Sequence, residues 1–161
     1  MLYEYKLDIN AQISYARQWA FRRNPAFTDF EELGGDCTNF VSQCIYAGGA
    51  VMNYTPDLGW YYISQGNRAA AWTGVEYFYS FMVNNNEQGP FAQEVGISRA
   101  RPGDVIQLGN SRRFYHSLFV VDTSDGIRIA SHSNDAFSKP LSDYTYDRAR
   151  CIHIIGARKQ T

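Results

Sequence analysis

The sequence predicts an α+β fold, with N-terminal helices packed on a C-terminal antiparallel β-sheet, one of those helices carrying a candidate nucleophile. Three observations predict it. Up to about Val83, apolar residues recur at three- and four-residue spacing. From Val105 onward, the apolar runs are short and rich in β-branched and aromatic residues. Turn chemistry separates those runs closely enough for hairpins.

The first helix is expected from about Asn10 to Arg23, with Ile13, Ala16, Trp19 and Ala20 as its buried stripe. Asn24-Pro25 ends it, because a residue before proline is pushed out of the helical region. A second helix is expected from Cys37 to Ala47, with Phe40, Val41, Cys44 and Ile45 facing inward and Gly48-Gly49 as the stop. A third is expected from Gly74 to Val83, followed by an exposed polar loop from Asn84 to Pro90. Arg101-Pro102-Gly103-Asp104 reads as a turn feeding the strand Val105–Leu108. Strands at His116–Asp122, Gly126–Ser131 and Cys151–Ala157 follow, with Thr123-Ser124-Asp125-Gly126 as a hairpin turn.

The 161 residues suit one domain, and 45% hydrophobic with 16% aromatic residues can fill its core. Fifteen basic and sixteen acidic residues leave a net charge of −1, which argues against nucleic acid as a partner. Arg22-Arg23 and Arg112-Arg113 read as solvated surface. No stretch reaches the roughly 18 apolar residues of a membrane span, and the N-terminal residues lack the apolar run of a secretion signal. The expectation is a cytoplasmic chain as encoded, or an extracellular or cell-wall one if a leader has been removed. Three cysteines, Cys37, Cys44 and Cys151, do not resemble a disulfide framework.

Chemistry concentrates in Gly34-Gly35-Asp36-Cys37-Thr38-Asn39-Phe40. A cysteine in the first turn of a helix meets unpaired backbone N–H groups and the positive end of the helix dipole. That environment is expected to lower the thiol pKa and to supply donors for an oxyanion. Asp36, as N-cap, and Asn39, one position into the turn after Thr38, are the candidate supporting groups; the charge of Asp36 opposes thiolate formation. Read from its residues alone, Cys37 is equally a small core residue on the stripe of Val41 and Cys44. Cys44 and Cys151 read as structural.

His116, at the start of a strand, is the candidate base. If the hairpin closes with Asp122 opposite Ile127, His116 faces Ser133, and a slip of one residue brings His132 or Asn134 opposite it. Directly opposed side chains lie about 4.5–5.5 Å apart at Cβ, close enough for one to fix the tautomer of the other. His132 is the expected orienting residue, with Asn134 as the alternative. No two of the cysteines and histidines Cys37, Cys44, Cys151, His116, His132 and His153 lie at the short spacings typical of zinc ligands, so no metal or other cofactor is expected. A Cys37–Cys44 redox pair is disfavoured, since seven residues span about 10 Å of helix.

Asp36-Cys37-Thr38-Asn39-Phe40-Val41-Ser42-Gln43-Cys44, continuing through Tyr46-Ala47-Gly48-Gly49, resembles the bacterial family described as the Putative amidase domain. Tyr15-Ala16-Arg17-Gln18-Trp19 with Arg23-Asn24-Pro25 resembles its opening helix. Trp60-Tyr61 and Trp72 resemble its middle aromatic positions, and Pro102-Gly103-Asp104-Val105-Ile106 with His116-Ser117 its strand entry and histidine. That family is similar to the NlpC-type and CHAP-type peptidoglycan hydrolases of the papain-like superfamily. The resemblance implies a papain-like core with Cys37 and His116 as a catalytic pair, and a peptide or peptidoglycan-like substrate. Trp60, Tyr61 and Trp72 are then expected to line a substrate cleft or to cover the central helix. An inactive aromatic-rich module that binds wall glycan or a protein is the alternative from a different class of function.

Overall fold

A computed structural model describes residues 1–161. The elements run β1 (Leu2–Tyr5), α1 (Ile9–Trp19), α2 (Cys37–Ala47), β2 (Tyr62–Ser64), β3 (Asn67–Arg68), α3 (Ala70–Thr73), α4 (Val75–Asn84) and β4 (Gly89–Val95). They continue with β5 (Val105–Gly109), β6 (Phe114–Asp122), β7 (Arg128–Ser131), β8 (Ala136–Pro140) and β9 (Arg148–Gln160). The main sheet is antiparallel and seven-stranded, in the order β1-β9-β5-β6-β7-β8, with β4 also paired to β9. The fold is therefore α+β, as the change in periodicity predicts.

Alternation along the strands divides the interior in two. Val105, Phe119 and Ile152 face the helices and join Phe40, Val41, Trp60, Trp72 and Phe78 in the larger core. Ile106, Leu108, Leu118, Val120 and Ile129 face the other way, where Leu141 and Cys151 close a smaller core. No helix is long and apolar enough to cross a membrane.

The second helix begins and ends where the sequence places it, and all its residues from Cys37 to Ile45 are buried. Gly34 and Gly35, at φ +108° and +104°, make the tight left-handed approach to it. The first helix stops at Trp19, four residues before the expected Arg23. Its end has a cause distant in sequence: the Trp19 carbonyl accepts from His132 Nε2 at 2.7 Å and from the Arg22 amide at 3.3 Å instead of continuing the helical ladder.

The stretch read as an exposed loop is partly a strand. Gly89–Val95 pairs with β9, and Asn85 Nδ2 ties the preceding turn by donating to the carbonyls of Gln88 and Pro90. The Gly-Pro start disguises it, since proline sits in sheets only at strand starts and edges. Gly103 (φ +94°) makes the expected turn into β5, and a Cβ there would lie 2.5 Å from Ile9 Cδ1.

Trp60 and Trp72, expected either to line a cleft or to cover the central helix, are fully buried with ring centroids 4.5 Å apart. Their N–H groups find internal partners, Trp60 on Ser42 Oγ (3.0 Å) and Trp72 on Asn39 Oδ1 (2.9 Å). Tyr61 is also buried. With polar tips satisfied inside, the rings serve as core. Ser42 in turn donates to the Trp72 carbonyl at 2.9 Å. Ser42→Ala strands the Trp60 N–H and is expected to cost about 1–3 kcal/mol in urea unfolding; an unchanged midpoint would show that this bond is not stabilising.

Candidate active site

Helix α2 is anchored from below by Asp36, which is wholly buried. Its Oδ1 accepts from the Phe30 amide (2.8 Å) and from Asn39 Nδ2 (2.8 Å). Its Oδ2 accepts from His132 Nδ1 (2.5 Å), and Arg23 Nε lies 3.5 Å away. The carboxylate thus faces the preceding loop and the sheet. It makes no capping bond to α2, contrary to the N-cap expectation, so the first amides of that helix have no side-chain acceptor from the cap.

Cys37 opens α2 with only 8% of its surface exposed. Burial pushes its thiol up, and the charge of Asp36 adds to that. The backbone N–H groups of Ser117 and Thr38 pull the other way without prevailing. The expectation that the helix start lowers this thiol is therefore corrected: desolvation outweighs the amides. Thr38 Oγ1 and Ser117 Oγ lie 2.9 Å apart and clasp the first turn of α2 to β6. Ser117, the residue after His116, is a contact with Cys37 that the sequence reading missed.

His116 pairs with Leu108 on β5 and shares its sheet face with Leu118. Its ring therefore leans toward Ser131 and Tyr144, with Ser131 Oγ 3.3 Å from Nε2. The Ser131 hydroxyl spends its proton on the His132 carbonyl, at 2.7 Å. It can then only accept from His116, which fixes the Nε2–H tautomer and leaves Nδ1 with a free lone pair. Burial and the charge of Lys139 lower the His116 pKa to about 4. Cys37 and His116 are thus a neutral thiol and a neutral imidazole at pH 7. The Ser117 amide faces the sulfur, Ser117 follows His116 in β6, and no hydrogen bond joins the sulfur to the ring.

The side chain in contact with the His116 ring is Ser131, whereas the sequence points to His132 for that place. The expected register holds for Phe119 opposite Ala130 and Val120 opposite Ile129, but β7 ends at Ser131 and turns back into β8. His116 consequently has no register partner on β7. His132 lies beyond the paired strand, stacks on Phe40 at 4.0 Å, and gives one ring nitrogen to Asp36 and the other to the Trp19 carbonyl. Asn134 is exposed in the tight β7–β8 turn at φ +63°. Asn39 spends its amide on Trp72, Thr28 and Asp36, so both supporting candidates act on the scaffold of the helix and not on an oxyanion. No group of three or more His, Cys, Asp or Glu converges as metal ligands.

The site sets a cysteine at a helix start against Ser117, the sheet residue that follows His116, and cysteine and histidine are residue types that serve nucleophilic chemistry. The model of the Putative amidase domain matches residues 6–155, and the chain belongs to that family. The family's description points to amide hydrolysis in general terms. The chain is similar to uncharacterized protein YhbB of Bacillus subtilis (strain 168), at 32% identity over 126 residues, covering 76% of this chain and 39% of that protein. The chain thus spans well under half the length of this curated relative. No solved structure matches it.

The His116 environment has a consequence for stability. Its folded pKa, about 4, lies below the unfolded value of about 6.5, so its contribution is present above pH 6.5 and is lost as pH falls toward 4. Allowing for partial exposure, the loss is on the order of 2 kcal/mol. Denaturation curves across that window are expected to flatten in His116→Gln, and an identical slope in the variant would contradict the assignment.

Proposed function

We propose that the chain is a cysteine-dependent amidohydrolase of papain-like design, with peptidoglycan stem peptides as the leading substrate class. The observation that carries this reading is the tautomer of His116. A base with a free Nδ1 stands one residue from Ser117, whose amide faces the Cys37 sulfur. Membership of the family supports amide hydrolysis; the stem-peptide substrate rests on the resemblance to peptidoglycan hydrolases.

In the first half-reaction, substrate binding closes thiol and imidazole together, and Cys37 Sγ attacks the amide carbonyl as its proton passes to His116 Nδ1. Amides at the start of α2 hold the oxyanion. The C–N bond breaks, the amine leaves with the proton from His116, and Cys37 carries a thioester. In the second, His116 takes a proton from water, the resulting hydroxide adds to the thioester, and the carboxylic acid departs as the thiol is restored. The scheme calls for no metal and no organic cofactor.

The neutral resting pair distinguishes this scheme from a preformed thiolate–imidazolium pair. Iodoacetamide is expected to label Cys37 more slowly at pH 7 than an ordinary thiol of pKa about 8.5. Hydrolysis of stem peptides released from peptidoglycan is nonetheless expected to fall by about 10²–10⁴ in His116→Ala. Wild-type turnover in that variant, measured by chromatography of the products, would sink the assignment of the base.

A further inference from the structure

A second concave site lies away from Cys37, between the Tyr77–Asn84 stretch of α4 and the loop from Asn53 to Leu58. It encloses about 390 Å³, a size suited to a small organic ligand. Its walls are held before any ligand arrives. Asn53 Nδ2 donates to the Gln88 carbonyl and Asn53 Oδ1 accepts from the Thr55 amide. Asn85 does the same for the opposite wall, through Gln88, Pro90 and the Glu87 amide. Asp57, at the tip of the loop, sits at φ +63°, a costly conformation for a residue with a side chain.

Above those fixed walls, the groups that face the cavity make no side-chain bond within the protein: the Tyr77 and Ser80 hydroxyls on successive turns of α4, and the carboxylates of Asp57 and Glu87. Tyr77 exposes 66% of its surface and Leu58 80%, while Ala71 and Phe81 supply apolar lining. No lysine, arginine or histidine lines the cavity. That excludes phosphates, nucleotides and acidic peptides as natural occupants on charge grounds. Cations and neutral hydroxyl-rich ligands remain on charge grounds, and the exposed Tyr77 ring with the apolar Ala71 and Phe81 lining favours the second, a ligand with hydroxyl donors and an apolar face for an aromatic ring.

We propose that this cavity is a binding site for a neutral saccharide, with Tyr77 stacking on a sugar face and Asp57, Ser80 and Glu87 accepting from its hydroxyls. The site is separate from Cys37 and does not depend on the amidohydrolase reading. It also differs from the aromatic cleft expected at Trp60 and Trp72, which the fold buries.

The test is isothermal titration of the full chain with an N-acetylglucosamine tetramer, with tetralysine as the competing cationic ligand. The tetramer is expected to bind saturably with a Kd of about 1 mM or tighter. Tyr77→Ala, on an exposed side chain, is expected to weaken binding about three- to tenfold with an unchanged melting temperature, whereas Cys37→Ala is expected to leave it unaltered. Absence of saturable binding, indifference to Tyr77→Ala, or tetralysine binding in place of the sugar would each overturn the proposal.

Discussion

The Asp36 carboxylate is the joint on which the site turns. It lies at the junction of three segments that are distant in sequence: the loop through Phe30, the start of α2, and the residues after β7 that carry His132. A buried carboxylate is costly unless each of its lone pairs is met, and here the Phe30 amide, the Asn39 amide group and the His132 ring meet them, with Arg23 at the rim. Removing one partner would leave a buried charge uncompensated, so the loop, the helix and the sheet end are coupled. Cys37 follows Asp36 directly, and its position relative to β6 inherits that coupling.

Below this joint the helix is fastened a second time by side chains that link it to the aromatic core. Asn39 receives Trp72 and Ser42 receives Trp60, so each ring that packs against α2 also fixes its rotation. The Thr38–Ser117 contact adds a link to β6. Cys37, at the start of this helix, is thereby positioned by the whole interior rather than by a flexible loop. The cost is a desolvated thiol and a desolvated imidazole. Both respond by staying neutral.

Much of the architecture is legible in the sequence because periodicity and turn chemistry are local. The second helix is bounded by its own glycines, and the Asp122–Arg128 turn by its own short polar side chains. The strand at Gly89–Val95 and the early stop of α1 escape a local reading. The first depends on pairing with a strand some sixty residues on, the second on a histidine from β7's far end. The candidate site divides the same way. Cys37 and His116 stand out by residue type and motif, whereas the role of Ser131 exists only because β7 ends there and its hydroxyl proton is already spent on a carbonyl. Histidine at 132 is the more conspicuous residue, but the fold commits it to Asp36.

The measurement that bears most directly on the account is a single-turnover reaction of the chain with a peptidoglycan stem peptide, quenched in acid and read by peptide mass spectrometry. The account predicts an acyl adduct on Cys37 that precedes the free acid, with adduct and product both absent in Cys37→Ala. Product released by Cys37→Ala at the wild-type rate would contradict it.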